Sequence, residues 1–203
     1  MSSITSAVTT IAPDITSFGA GGQQYIASIR TGFNIKAETV NPLFAFNRND
    51  SMVNARQLTN LDETRKIGST MTFRATRLGL RVLAFGSGVV TPANAQEMKR
   101  LLASAEVTLN VGSNETKIAE FSGLDLMEPV DLVAADSTNT CAASGGLGGG
   151  IGWIPLPVPI EIQANCNIGG TVRFTRAVPS SLYSTENTFG FVVILQGLKV
   201  VKS

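Results

Sequence analysis

Residues 103–112, ASAEVTLNVG, set apolar and polar side chains in strict alternation. Ala105, Val107, Leu109 and Val111 share one parity, and Glu106, Thr108 and Asn110 the other. A period of two is that of a half-buried β-strand. The following GSNE (112–115) reads as a turn, and TKIAEFSGLDL (116–126) as the returning strand. MTFRATRLGLRVLAF (71–85) is also strand-like, but its phase slips. Phe73 and Ala75 lie on one parity and Leu78, Leu80 and Val82 on the other, so a β-bulge or corner is predicted near Arg77. IEIQANCNI (160–168) alternates over its whole length, GG (169–170) reads as a turn, and TVRFTRAV (171–178) as a partner strand. FGFVVILQGLKVV (189–201) is apolar on both parities up to Leu195, which predicts a strand covered on both faces. A first pair of short apolar runs in GFNIKAETVNPLFAFN (32–47) breaks at Pro42.

One segment has the helical period. In TPANAQEMKRLL (91–102), Thr91 suits the N-cap, Pro92 the first helical position, and Ala95, Met98, Leu101 and Leu102 make one face. The polar stretch RNDSMVNARQLTNLDETRKIGS (48–69) reads as a long loop with one helical turn. The stretch EPVDLVAADSTNTCAASGGLGGGIG (128–152) is a second long connection. About eight strands, one short helix, long loops and no internal repeat predict an all-β antiparallel sandwich or barrel. Residues 1–29 stand apart. They hold no Lys or Arg and one acid, Asp14, and single apolar residues punctuate them at Ile4, Val8, Ile11, Ile15 and Phe18. The expected division is an N-terminal arm over 1–29 and a domain over 30–203.

The glycine run before WIPLPVP (153–159) resembles a phosphate loop only in composition. A phosphate loop needs a preceding strand, a following helix and commonly a Lys with Ser or Thr. No Lys follows here, and Pro155, Pro157 and Pro159 forbid a helix. A flexible loop and an extended lead-in fit better, and alternating prolines bar a central strand. Trp153, the one tryptophan, either anchors a neighbouring subunit or packs on its own domain.

Charged residues are 15% and hydrophobic residues 43% of the chain, a surface short of charge that suits burial by other subunits. Net charge is +1, so no global field calls for a polyanion. There is no histidine, which excludes Ser-His-Asp and Cys-His catalysis, His-ligated zinc and His-bound haem. Cys141 and Cys166 are enough for one disulfide, but Cys166 shares the parity of Ile160, Ile162 and Ile168, so a buried free thiol is the preferred reading, with Cys141 in a polar loop. Nothing fixes the separation or burial of Asp62 with Glu63 or of Asp131 with Asp136 as glycosidase carboxylates, and Asp131, Asp136 and Asn139 lack the spacing of a calcium loop. No cofactor, metal or catalytic residue is expected, and the chain is not read as an enzyme. The basic residues Arg65, Lys66, Arg74, Arg77 and Arg81 either face nucleic acid or anionic lipid headgroups or form a solvated or inter-subunit salt-bridged surface, and the second reading is preferred because alternation and a bulge would scatter them over two faces. The N-terminus lacks the basic and apolar regions of a secretory signal, and no run approaches a membrane span.

The order of these elements resembles the jelly-roll capsid proteins of tailless icosahedral bacteriophages. The likeness runs over about residues 66–202: GSTMTFRATRLGLRVLA, the short helix, LLASAEVTLNVGSNETKIAEFSGLDL, PLPVPIEIQANCNIGGTVRFTRA and FGFVVILQGLKVV. It implies a single eight-stranded antiparallel jelly roll and a structural subunit of a virion shell, assembled in the host cytoplasm. Its implied partners are copies of itself and other capsid proteins, with an internal membrane as a further candidate. Direct genome contact is not expected, since the arm carries no basic residue. Ile4, Val8, Ile11, Ile15, Phe18 and Trp153 are the expected interface residues. The alternative is a β-sandwich binding module of carbohydrate or adhesion type. Such a module needs exposed aromatics, and the chain has one Trp and two Tyr.

Overall fold

The most apolar segment takes the most enclosed position. In a computed structural model that describes residues 22–52, 54–85, 91–112, 116–124, 153–183 and 188–202, the C-terminal strand lies between two long neighbours. The elements in chain order are β1 (Gly22–Asn34), β2 (Val40–Leu43), α1 (Ala55–Leu58), β3 (Met71–Phe85), α2 (Pro92–Ala103), β4 (Ala105–Val111), β5 (Thr116–Ser122), β6 (Ile154–Ile162), β7 (Ile168–Phe174) and β8 (Thr188–Lys202). A short 3₁₀ turn spans Ser180–Leu182. The strands form two antiparallel four-stranded sheets, ordered β1-β8-β3-β6 and β2-β7-β4-β5. The chain pairs with itself from the outside inward: β1 with β8, β2 with β7, β3 with β6, and β4 with β5. Only the last of these pairs is a sequential hairpin.

The core fills the space between the sheets. Phe73, Ala75, Leu78, Leu80 and Val82 of β3 and Phe189, Phe191, Val193 and Leu195 of β8 meet Val107 and Leu109 of β4 and Val172 and Phe174 of β7. Three phenylalanines tie the layers together. Phe33 of β1 stacks on Phe191 of β8, with ring centroids 5.4 Å apart, and Phe174 of the opposite sheet meets both edge-on at 6.2 and 5.6 Å. The helix α2 closes the same core with Met98, Leu101 and Leu102. Its Thr91 Oγ1 accepts from the Asn94 backbone N–H at 3.2 Å, and Pro92 holds the first helical position, as the sequence predicts.

The outer face of the first sheet is covered as well. Val192 of β8 is 1% exposed although it points away from the core. It packs with Phe46, Ala55 and Leu58 from the β2–β3 excursion, and Met52, Leu83, Phe85 and Ile194 join this second cluster. The expected helical turn in that excursion is α1. Two α-helices are thus described where one was expected.

The predicted phase slip in β3 is a bulge, with the register shifting between Ala75 and Arg77 on both sides of the strand. On the β6 side, Ala75 pairs with Ile160 and Arg77 with Pro155, so the register of β6 slips across the bulge while the strand runs on from Ile154 to Ile162. The proline-rich stretch is therefore strand and not lead-in, but an edge strand, where a missing N–H costs no ladder bond.

Three expectations from local pattern give way. Residues 22–29, placed in the arm by their composition, begin β1, which pairs with β8 along its whole length and buries Ile29. IEIQANCNI is not one strand. β6 ends at Ile162, Asn165 takes a left-handed φ of 60°, and β7 starts at Ile168. Cys166 sits in this turn as a half-buried free thiol and not as a core residue. Gly169 and Gly170 are not a turn but part of β7. A Cβ on Gly170 would overlap the Thr108 carbonyl oxygen of β4, and the glycine permits that close approach.

The register makes a direct prediction. Val107 is fully buried, whereas Thr108 faces away from the core, between Glu120 and Thr171 in the ladder. Val107→Asp should abolish folding, since a carboxylate there costs more than about 4 kcal/mol. Thr108→Asp, set opposite Glu120, should cost less than about 1 kcal/mol. Urea unfolding followed by circular dichroism checks both, and equal damage would mean a different register.

Candidate functional site

The expected interface residues fall in two groups. Ile4, Val8, Ile11, Ile15 and Phe18 lie outside the described residues, as do the glycine run, Cys141, Asp131, Asp136 and Asn139. Trp153 is described. It immediately precedes β6, where Ile154 pairs with Leu78, and its half-buried indole lies over Gly79 of β3. A Cβ added to Gly79 would stand 3.1 Å from Trp153 Cε3. The ring therefore packs on the outer face of its own first sheet.

The bulge also redistributes the arginines. Simple parity separates Arg74 from Arg77 and Arg81. One slipped residue returns all three to the outward face of β3, because Ala75, Leu78 and Leu80 all point inward. Arg74 Nε donates to Glu161 Oε1 of the paired strand at 2.8 Å. Arg65 is elsewhere. It has a left-handed φ of 63°, its carbonyl accepts from the Ile168 N–H at 2.8 Å, and its guanidinium lies against Gly169 of β7. The expected scatter thus separates Arg65 from the other three and does not divide Arg74, Arg77 and Arg81.

Of the acids weighed from sequence, Asp62 holds Arg48 at 2.6 Å, and Glu63 meets Lys66 through the backbone in an isolated antiparallel β-bridge. Among the described residues no group of three or more His, Cys, Asp or Glu is placed to hold a metal ion. Among them, too, no helix is long and apolar enough to cross a membrane.

The most distinctive surface feature was not legible in the sequence. Among the described residues, most exposed large apolar side chains lie on the edge strands of the sheets; Tyr183, just after the 3₁₀ turn, does not. Tyr25 (45% exposed) and Ile26 (77%) are on β1 and Val158 (78%) on β6, the two edges of the first sheet. Val40 (56%) is on β2 and Ile118 (39%) on β5, the two edges of the second, with Leu124 (65%) just beyond β5. Natural sheets commonly protect their edges with charge, proline or a covering loop, because an open apolar edge templates pairing with another chain. Here prolines mark β6 and β2, yet each edge still presents an apolar side chain. Only the strand order tells which strands are edges, so no local pattern could have grouped these residues.

Comparisons of the chain with protein-family models, with curated proteins and with solved structures found no match.

Trp153, as the single tryptophan, reports directly on its packing. Gly79→Val should push the indole off β3, red-shift its emission and raise its quenching by acrylamide, at a cost of about 1–3 kcal/mol from overpacking. An unchanged spectrum would place the indole somewhere other than over Gly79.

Proposed function

We propose that the chain is a jelly-roll subunit of an icosahedral virus capsid, built to assemble with copies of itself. The fold part of this reading rests on the nested pairing. Pairing of the first strand with the eighth, the second with the seventh, the third with the sixth and the fourth with the fifth, across two four-stranded antiparallel sheets, is the nesting expected of a jelly roll and supports that reading. That architecture serves both shell subunits and lectin-like binding modules, so fold alone does not choose between them.

The observation that carries the functional reading is the apolar exposure at all four sheet edges. A monomer with such edges is prone to associate, whereas a subunit covers them on assembly. The low charge content acts in the same direction, since few charges need to be stripped of water when neighbours meet. The N-terminal segment, with single apolar residues at Ile4, Val8, Ile11, Ile15 and Phe18, fits a strap laid along a neighbour. Many weak contacts of this kind add up around a closed particle. The partners in this reading are other copies and other shell proteins, with an internal membrane as a further candidate and no direct contact with the genome.

Light scattering and negative-stain electron microscopy test this. The intact chain should form closed particles. Ile26→Lys and Val158→Lys, placed on exposed edge positions, should leave the circular dichroism spectrum and thermal unfolding within about 1 kcal/mol of the parent while reducing particle yield at least tenfold. Removal of residues 1–21, which ends before β1 begins, should likewise keep the fold and lose or misdirect assembly. A chain that stays monomeric at high concentration and binds glycans would overturn the reading in favour of a binding module.

A further inference from the structure

The excursion that covers the outer face of the first sheet also builds a groove against the edge of β1. It is an open space of ≈ 420 Å³ lined by Arg30, Arg48, Asn49, Arg56, Thr59 and Asn60. Three of these six side chains are guanidinium groups, the others are neutral hydrogen-bonding groups, and none is an acid.

The walls are fixed to one another. The backbone N–H of Arg30 donates to Asn60 Oδ1 at 2.7 Å, and Asn60 Nδ2 donates to the Ser28 carbonyl at 2.8 Å. Thr59 Oγ1 donates to the Arg30 carbonyl at 3.0 Å, and the Thr59 residue is 1% exposed. Arg30 Nη2 donates to the Arg56 carbonyl at 2.9 Å, which joins the strand to α1. The Arg30 guanidinium is not fully satisfied, because its Nε is buried and has no hydrogen-bond partner among the described residues. Arg48 is held by Asp62 at 2.6 Å, with both side chains more than half exposed, a kind of pair that contributes little and yields to a stronger anion.

We infer that this groove is an oxyanion site that takes a phosphate group, either free or carried on a lipid headgroup. Guanidinium forks match the tetrahedral oxygens of phosphate through paired charge-assisted hydrogen bonds, and Asn49 adds an amide to the lining. The chain's net charge is only +1, so the attraction is local to these arginines and not a property of the whole surface. This inference goes beyond the shell reading and does not depend on it.

The test is isothermal titration of the full chain with inorganic phosphate and with pyrophosphate at fixed ionic strength. Flotation with phosphatidic acid vesicles and with phosphatidylcholine vesicles runs alongside. Saturable binding of the free anions, or flotation with phosphatidic acid alone, supports the site and tells the two sources apart. Arg48→Gln and Arg56→Gln should each weaken binding about tenfold or more. Their circular dichroism should match the parent, since neither side chain is buried. Asp62→Asn, which releases Arg48, should tighten binding. Lys117→Gln, on the edge of the opposite sheet, should leave it unchanged. Absence of binding in both formats overturns the inference. So does an equal loss in Lys117→Gln, or vesicle binding that survives loss of both Arg48 and Arg56.

Discussion

A strand that is apolar on both faces cannot stand at a surface, and that constraint organises this molecule. β8 carries Phe189, Phe191, Val193 and Leu195 on one side and Val192 and Ile194 on the other. Its backbone is satisfied by β1 and β3, which flank it along nearly its full length. Its inner face requires the second sheet, and the Phe33, Phe174 and Phe191 rings make the meeting specific. Its outer face requires a cover, and the β2–β3 excursion supplies one through Phe46, Ala55 and Leu58. Each of these demands fixes the position of a different part of the chain.

The cover has a consequence of its own. To lie over β8, the excursion must be fastened at the edge of β1, and Thr59 and Asn60 fasten it there by satisfying the Ser28 and Arg30 backbone groups. Part of an open edge is thereby protected within the chain. The same fastening gathers Arg30, Arg48 and Arg56 around one groove although they are far from any common sequence motif. Packing on one side of the excursion and polar chemistry on its other side are two outcomes of a single docking event.

The stretches of edge not covered in this way define what the molecule can do with others. Two sheets of four strands have four edges, and the strand orders leave β1, β6, β2 and β5 in those positions. Prolines in β6 and β2 deny some donors to an incoming strand, yet Ile26, Val158, Val40 and Ile118 remain apolar and exposed. Lys117 beside Ile118 is paired with Glu120, so little net charge defends β5. Association through such edges is the physical basis of the shell reading.

The amino-acid sequence determined those elements whose signal is local. The alternation of β4, the doubly apolar run of β8, the capped helix α2 and the phase slip in β3 all follow from side-chain period and cap chemistry within a dozen residues. The fate of other segments depended on what packs beside them. Residues 22–29 carry a weak, polar pattern, and they are a strand because β8 needs a partner on that side. Gly169 and Gly170 look like a turn, but they lie in β7 because the backbone of β4 passes too close for a side chain at Gly170. Cys166 has the parity of a core position, but the chain turns at Asn165 before that parity can matter. Which strands are edges, which arginines share a face and which loop lies over β8 were decided only by the tertiary structure. Pairing partners come from distant parts of the chain, and no local period records them.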